Sequence, residues 1–138
     1  MSFSTLAQKI GCDESDVISA FGRKISSFSR ERIASDLEGL LPSGVIEMMA
    51  DTLERIENDV VVVDHEWGKI VTTTNMNGEP EVEFDGGELL DITIDCRIIQ
   101  MKFDEDGWSV LTMDEGWVSC RASRKDGEWT VSTDFIWD

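Results

Sequence analysis

The chain has 138 residues, 41% of them hydrophobic and 30% charged, with five Trp and six Phe, and a net charge of −17. That apolar content supplies one buried core and is too high for a disordered chain. No apolar run reaches the roughly 20 residues of a membrane span. Met1-Ser2-Phe3-Ser4-Thr5 has no basic stretch leading into an apolar one, so neither a spanning helix nor a secretory leader is expected.

The charge is unevenly placed. Residues 1–32 carry five basic and four acidic residues, a net of +1, whereas residues 33–138 carry seven and 25, a net of −18. Self-repulsion at that density opposes compaction, so a use for it is expected. Solubility, adaptation to high salt and a basic partner are the three candidates. The 12 Ile and three Cys fit a salt-adapted composition poorly. Cys12, Cys96 and Cys120 are far apart and lack CxxC spacing, which argues against a disulfide framework or a zinc site and for a reducing, cytoplasmic setting.

Taken in order, residues 3–22 predict two short helices around a tight turn. Leu6, Ala7, Ile10, Val17 and Ala20 hold the packing positions. Gly11 takes the turn and Asp13 opens the second helix. This pattern resembles a helix-turn-helix. Such a motif reads DNA with the residues that open its second helix, here Asp13, Glu14, Ser15 and Asp16, whose carboxylates would repel phosphate. A packing or protein-contact role is therefore favoured. Arg23, Lys24, Arg30 and Arg32 keep a DNA-binding regulator as an alternative.

Ser26 to Ser29 is a polar break, with Ser29 the N-cap of a helix over residues 30–40 that aligns Ile33, Leu37, Leu40 and Leu41. Pro42-Ser43-Gly44 breaks it. A further helix over residues 45–57 aligns Val45, Ile46, Met49, Leu53 and Ile56, with Met48 and Met49 as core filler. Strands follow: a buried run over residues 60–63, then residues 67–74, a hairpin at Asn77-Gly78, and residues 79–84. From Leu89 a long strand alternates through Ile92, Ile94, Cys96 and Ile98, then changes phase to Ile99, Met101 and Phe103. A bulge near Ile98 would keep both sets in one core. Strands over residues 108–113, 117–122 and 129–137 close the chain, joined by turns at Asp104-Glu105-Asp106-Gly107, Asp114-Glu115-Gly116 and Lys125-Asp126-Gly127.

The expected architecture is α+β in a single domain, residues 1–138. Residues 1–57 form an N-terminal bundle of three to four short helices. It packs on a curved, mostly antiparallel sheet of six to seven strands in residues 58–138. Helices first and Trp-bearing strands last resemble the NTF2-like cone fold. That resemblance implies a pocket between helices and sheet, serving a small ligand or an enzyme that uses His65 with Asp91 or Asp95.

Catalytic patterns are otherwise missing. The lone His65 has no nucleophile with a supporting motif, and there is no GxSxG and no tyrosine. Asp104-Glu105-Asp106-Gly107 stops matching a calcium loop after three residues. No catalytic residues, metal ligands or cofactor are expected.

The acids themselves have a pattern. Glu79, Glu81, Glu83 and Asp85 alternate, projecting from one strand face about 7 Å apart. Asp104, Glu105, Asp106, Asp114 and Glu115 add charge at the turns, beside Trp108 as an aromatic anchor. Such a row would imitate a nucleic-acid backbone, or would protect an edge strand from aggregation. Composition resembles that of small acidic phage-type inhibitors, such as anti-CRISPR or anti-restriction proteins, and of nuclease immunity proteins. The likeness implies a non-catalytic inhibitor of a basic, nucleic-acid-binding partner or nuclease, with no direct nucleic-acid or membrane contact and no stated oligomeric state.

Overall fold

The computed structural model describes residues 3–21 and 28–137. Four helices precede five strands: α1 (Phe3–Ile10), α2 (Glu14–Phe21), α3 (Arg30–Leu37), α4 (Ser43–Glu57), β1 (Val60–His65), β2 (Gly68–Phe84), β3 (Leu89–Asp104), β4 (Gly107–Lys125) and β5 (Glu128–Trp137). The strands form one curled antiparallel sheet in the order β1-β2-β3-β4-β5, so the α+β expectation holds.

Local chemistry explains the helices. Gly11, at φ +83°, ends α1 by donating its N–H to the Ala7 carbonyl at 2.8 Å. Leu6, Ala7, Ile10, Val17 and Phe21 are buried between α1, α2 and the sheet. Ser29 caps α3, its Oγ accepting the Arg32 N–H at 3.3 Å. In α4 the stripe Val45, Ile46, Met49, Ala50 and Leu53 is buried, and Ile56 half-buried. Met48, expected inside, lies on the solvent side of this helix, and Leu40 falls past the end of α3 into water. Arg23 and Lys24, with Ser26 and Ser27 of the expected polar break, lie outside the described residues.

Two expected hairpins are not turns. Asn77-Gly78 lies inside β2, and the two arms of that strand pair successively with β3. Only the ladder between Asn77 and Glu81 is irregular, so counting the arms separately gives six strands. Asp114-Glu115-Gly116 lies inside β4, which runs for 19 residues. Its Asp114 and Glu115 face Ile98 and Arg97 of β3 in unbroken register. Gly116 is required for approach rather than turning: a Cβ there would overlap the Ile136 carbonyl oxygen of β5. The expected loop at Lys125-Asp126-Gly127 does form. Asp126 (φ 53°) and Gly127 (φ 80°) make a two-residue loop with both φ positive, the geometry that suits strand twist.

β3 carries no bulge near Ile98. Its pairing with β2 is regular from Asp95 to Phe103 and with β4 from Leu89 to Gln100. Alternation therefore puts Ile92, Ile94 and Cys96 on one face of the sheet and Ile99 and Met101 on the other. The two sets belong to two cores. The first joins α3 and α4 to Met76, Leu90, Ile92, Ile94, Cys96, Val118, Cys120 and Ala122. The second joins α1 and α2 to Val71, Ile99 and Met101, with Val60, Val62 and Trp108 packed against it. Each helix pair covers one face over one half of the sheet and leaves the reverse face of that half open. The bulge in β4 falls at Leu111, between the Gln100–Thr112 and Met101–Val110 pairs. β1 is an edge strand rather than a buried one, with Val61 and Val63 48% and 45% exposed.

Candidate partner-binding face

The reverse side of the α3/α4 half is built by rows of cross-strand neighbours. One row is Glu83, Asp91, Arg121 and Ser132; the next is Glu81, Thr93, Ser119 and Asp134; then come Asn77, Asp95, Trp117 and Ile136, and finally Arg97 with Glu115. Strands stand about 4.8 Å apart and same-face neighbours about 7 Å apart along a strand. The face thus presents Glu81, Glu83, Asp91, Asp95, Glu115 and Asp134 around two cations. Both cations are held by acids of the face: Arg121 Nη2 lies 3.2 Å from Asp91 Oδ2, and Arg97 Nε 3.1 Å from Glu115 Oε1. Ser119 Oγ donates to Asp91 Oδ1 at 2.7 Å. Glu81, Glu83, Asp95 and Asp134 have no cation within ion-pair distance among the described residues. Carboxylates of Glu83 and Asp91 stand directly opposite each other, an arrangement that opposes sheet formation. A depression of about 440 Å³ lined by Asn77, Asp95, Arg97, Glu115 and Trp117 opens on the same side.

The expected site residues divide by their surroundings. Glu79, Glu81 and Glu83 are exposed along the stretch of β2 that β1 does not reach; Glu79 pairs with Arg32 of α3 at 3.1 Å. Asp85 shapes the β2–β3 turn. Its Oδ1 accepts the N–H groups of Gly87, Glu88 and Leu89 at 2.9–3.1 Å, and these bonds hold its carboxyl below the usual carboxylate range. Asp104 accepts the Asp106 N–H at 2.9 Å and pairs with Lys102 at 3.1 Å, and its pKa is lowered by these two contacts. Glu105 and Asp106 are exposed at the β3–β4 tip, and Asp114 is exposed on β4.

Trp108 is not an exposed anchor. Its ring packs edge-on against Phe21 at 5.5 Å and tilted by 37° against Phe103 at 4.9 Å, and its Nε1–H is buried without an acceptor among the described residues. The exposed aromatic at this end is Trp67, in the β1–β2 turn, with His65 stacked on it at 4.9 Å and Lys102 Nζ 5.1 Å from its centroid. Only the NTF2-like alternative used Asp91 or Asp95, in a pocket between helices and sheet; both lie on the open face instead, with Asp134, which was not among the expected site residues. The alternation Asp91-Thr93-Asp95-Arg97, opposite Ile92-Ile94-Cys96, was the signal for an open face.

Burial pushes the Cys96 thiol up to about 11 and the Cys120 thiol, helped by Asp91, up to about 12, so both behave as small hydrophobes. His65 is exposed against Trp67. No group of metal-ligating side chains gathers among the described residues, and none of their helices is long and apolar enough to cross a membrane. A depression of about 280 Å³ is lined by Phe28, Ile33, Met76 and Ile94 together with the Arg32–Glu79 pair. The chain matches no protein-family model, no curated protein and no solved structure.

Proposed function

We propose that the chain is a non-catalytic acidic binding protein that occupies and neutralises a basic, nucleic-acid-binding surface on a partner protein. The supporting observation is the open sheet face, where carboxylates repeat at strand spacing and both cations are already engaged. A fixed grid of charge on rigid strands steers a basic partner and gives salt-sensitive association. In composition this matches the acidic antagonists that phages and mobile elements direct at host defence, and the immunity proteins of nuclease toxins.

The test is affinity capture at low and high salt with the chain immobilised. Basic nucleic-acid-binding proteins should be retained at low salt, elute with salt, and be lost from the variant Glu81→Gln/Glu83→Gln/Asp95→Asn/Asp134→Asn. Equal retention by that variant, or retention of neutral and acidic proteins only, removes the reading.

A further inference from the structure

The five tryptophans of the chain have unequal surroundings. Trp108 packs on Phe21 and Phe103, Trp137 is stacked on Phe135, and Trp67 holds His65 and Lys102. Trp129 packs against the α3/α4 core. Trp117 belongs to neither core, and among the described residues no ring or cation is stacked on it. It stands half-buried in β4, on the open acidic face.

Its place in the register shows what that face lacks. Three charged residues of β3 here have a direct neighbour on β4: Asp91 faces Arg121, Arg97 faces Glu115, and Asp95 faces Trp117. The first two are closed ion pairs, at 3.2 and 3.1 Å, and in both the cation is an arginine. Asp95 is exposed and has no cation within ion-pair distance among the described residues, and an indole stands where its arginine would be. Directly opposed residues of antiparallel strands have Cβ atoms about 5 Å apart. Carboxylate and ring are therefore within reach of one guanidinium.

We propose that Asp95 and Trp117 form a slot for an arginine side chain of the basic partner. The proposal rests on the acidic-binder reading and names the group that the acidic face recognises. A guanidinium lies flat on an indole while its N–H fork meets a carboxylate edge-on, which a compact ammonium does not reproduce. The depression of about 440 Å³ that Asp95 and Trp117 line is ample for that group, and Asn77, opposite Asp95 on β2, adds an amide to its wall. Arg97, which also lines it, is held by Glu115 and leaves Asp95 to the incoming cation.

The test follows the indole N–H signals of the isotope-labelled chain by NMR, the Trp117 signal being assigned by its loss in Trp117→Leu. The probes are the capped peptides Gly-Ser-Arg-Ser-Gly and Gly-Ser-Lys-Ser-Gly, which carry equal charge. The arginine peptide should move the Trp117 signal saturably, and the lysine peptide should bind at least fivefold more weakly. Asp95→Asn should weaken the arginine peptide at least fivefold, whereas Glu66→Gln, which removes one exposed charge from the β1–β2 turn, should leave it unchanged. A Trp117 signal that does not move, equal binding of the two peptides, or equal effects of Asp95→Asn and Glu66→Gln overturns the slot; in the last case only the general field of the chain is at work. Affinity capture separates the slot from the reading it rests on. If Trp117→Leu, with circular dichroism verifying its fold, retains in full the basic proteins that the four-acid variant loses, the slot fails and the acidic-binder reading stands. If the arginine peptide binds as expected and no basic protein is captured, the acidic-binder reading fails and the slot stands as an arginine site.

Discussion

The two halves of this molecule solve one problem with unequal means. In the first, the 15-residue α4 lies with α3 across β2, β4 and β5, and its apolar stripe fits a face of Leu90, Ile92, Ile94, Val118, Cys120 and Ala122. In the second, two eight-residue helices cover the opposite face, and the core they close includes a buried indole N–H with no acceptor. Helices of that length are marginal alone and depend on their seat. The α1/α2 half is thus the weaker one, and local opening should begin there.

The largest effect is expected from Phe21→Ala, which empties the contact between α2 and Trp108 and should cost about 3–5 kcal/mol. In hydrogen exchange, protection should vanish across residues 6–10 and persist across residues 45–53. Leu53→Ala should cost about 2–5 kcal/mol and lower protection in both halves together. If Phe21→Ala also strips α4 of protection, the halves are one cooperative unit and the contrast is wrong. Next comes Gly116→Ala, which forces the end of β5 away from β4 and should cost about 1–3 kcal/mol in denaturant unfolding, as overpacking does. Trp108→Phe should lie within about 1 kcal/mol of wild type despite losing ring area, because it also removes the unpartnered donor.

Smallest is Asp85→Asn, measured as stability against pH. Asp85 has a lowered pKa in the folded state, so its contribution is present above the ordinary carboxylate value of about 3.9 and is lost as pH falls through the folded value. Wild type and variant should differ at neutral pH and converge in acid. A difference that grows in acid would reverse the sign.

Much of the fold was legible because apolar periodicity and cap chemistry agree. Ser29, Gly11 and the α4 stripe were read from spacing alone. The two false hairpins have a common cause: local turn chemistry was trusted where partners across the sheet decide. Asn77-Gly78 and Asp114-Glu115-Gly116 are good turn sequences, yet β3 continues opposite both and the chain stays extended. The acidic face was half visible. The alternation of Glu79 to Glu83 was plain, but its alignment with Asp91 and Asp134 depends on register across three further strands, which spacing within one segment does not contain. The two-faced core was hidden by the assumption that one domain has one core, so the phase change in β3 was read as a bulge.

That phase change acts as a vernier on the fold. A strand with one buried face resists a one-residue slip because the slip exposes its apolar set. In β3 a slip would turn Ile92, Ile94 and Cys96 toward the acidic face and, in the same movement, withdraw Ile99 and Met101 from α1 and α2. Each core polices the alignment of the other. Deleting a single residue between Cys96 and Ile99 leaves composition and charge nearly unchanged, yet it puts the two halves out of step, so that one can be satisfied only at the expense of the other.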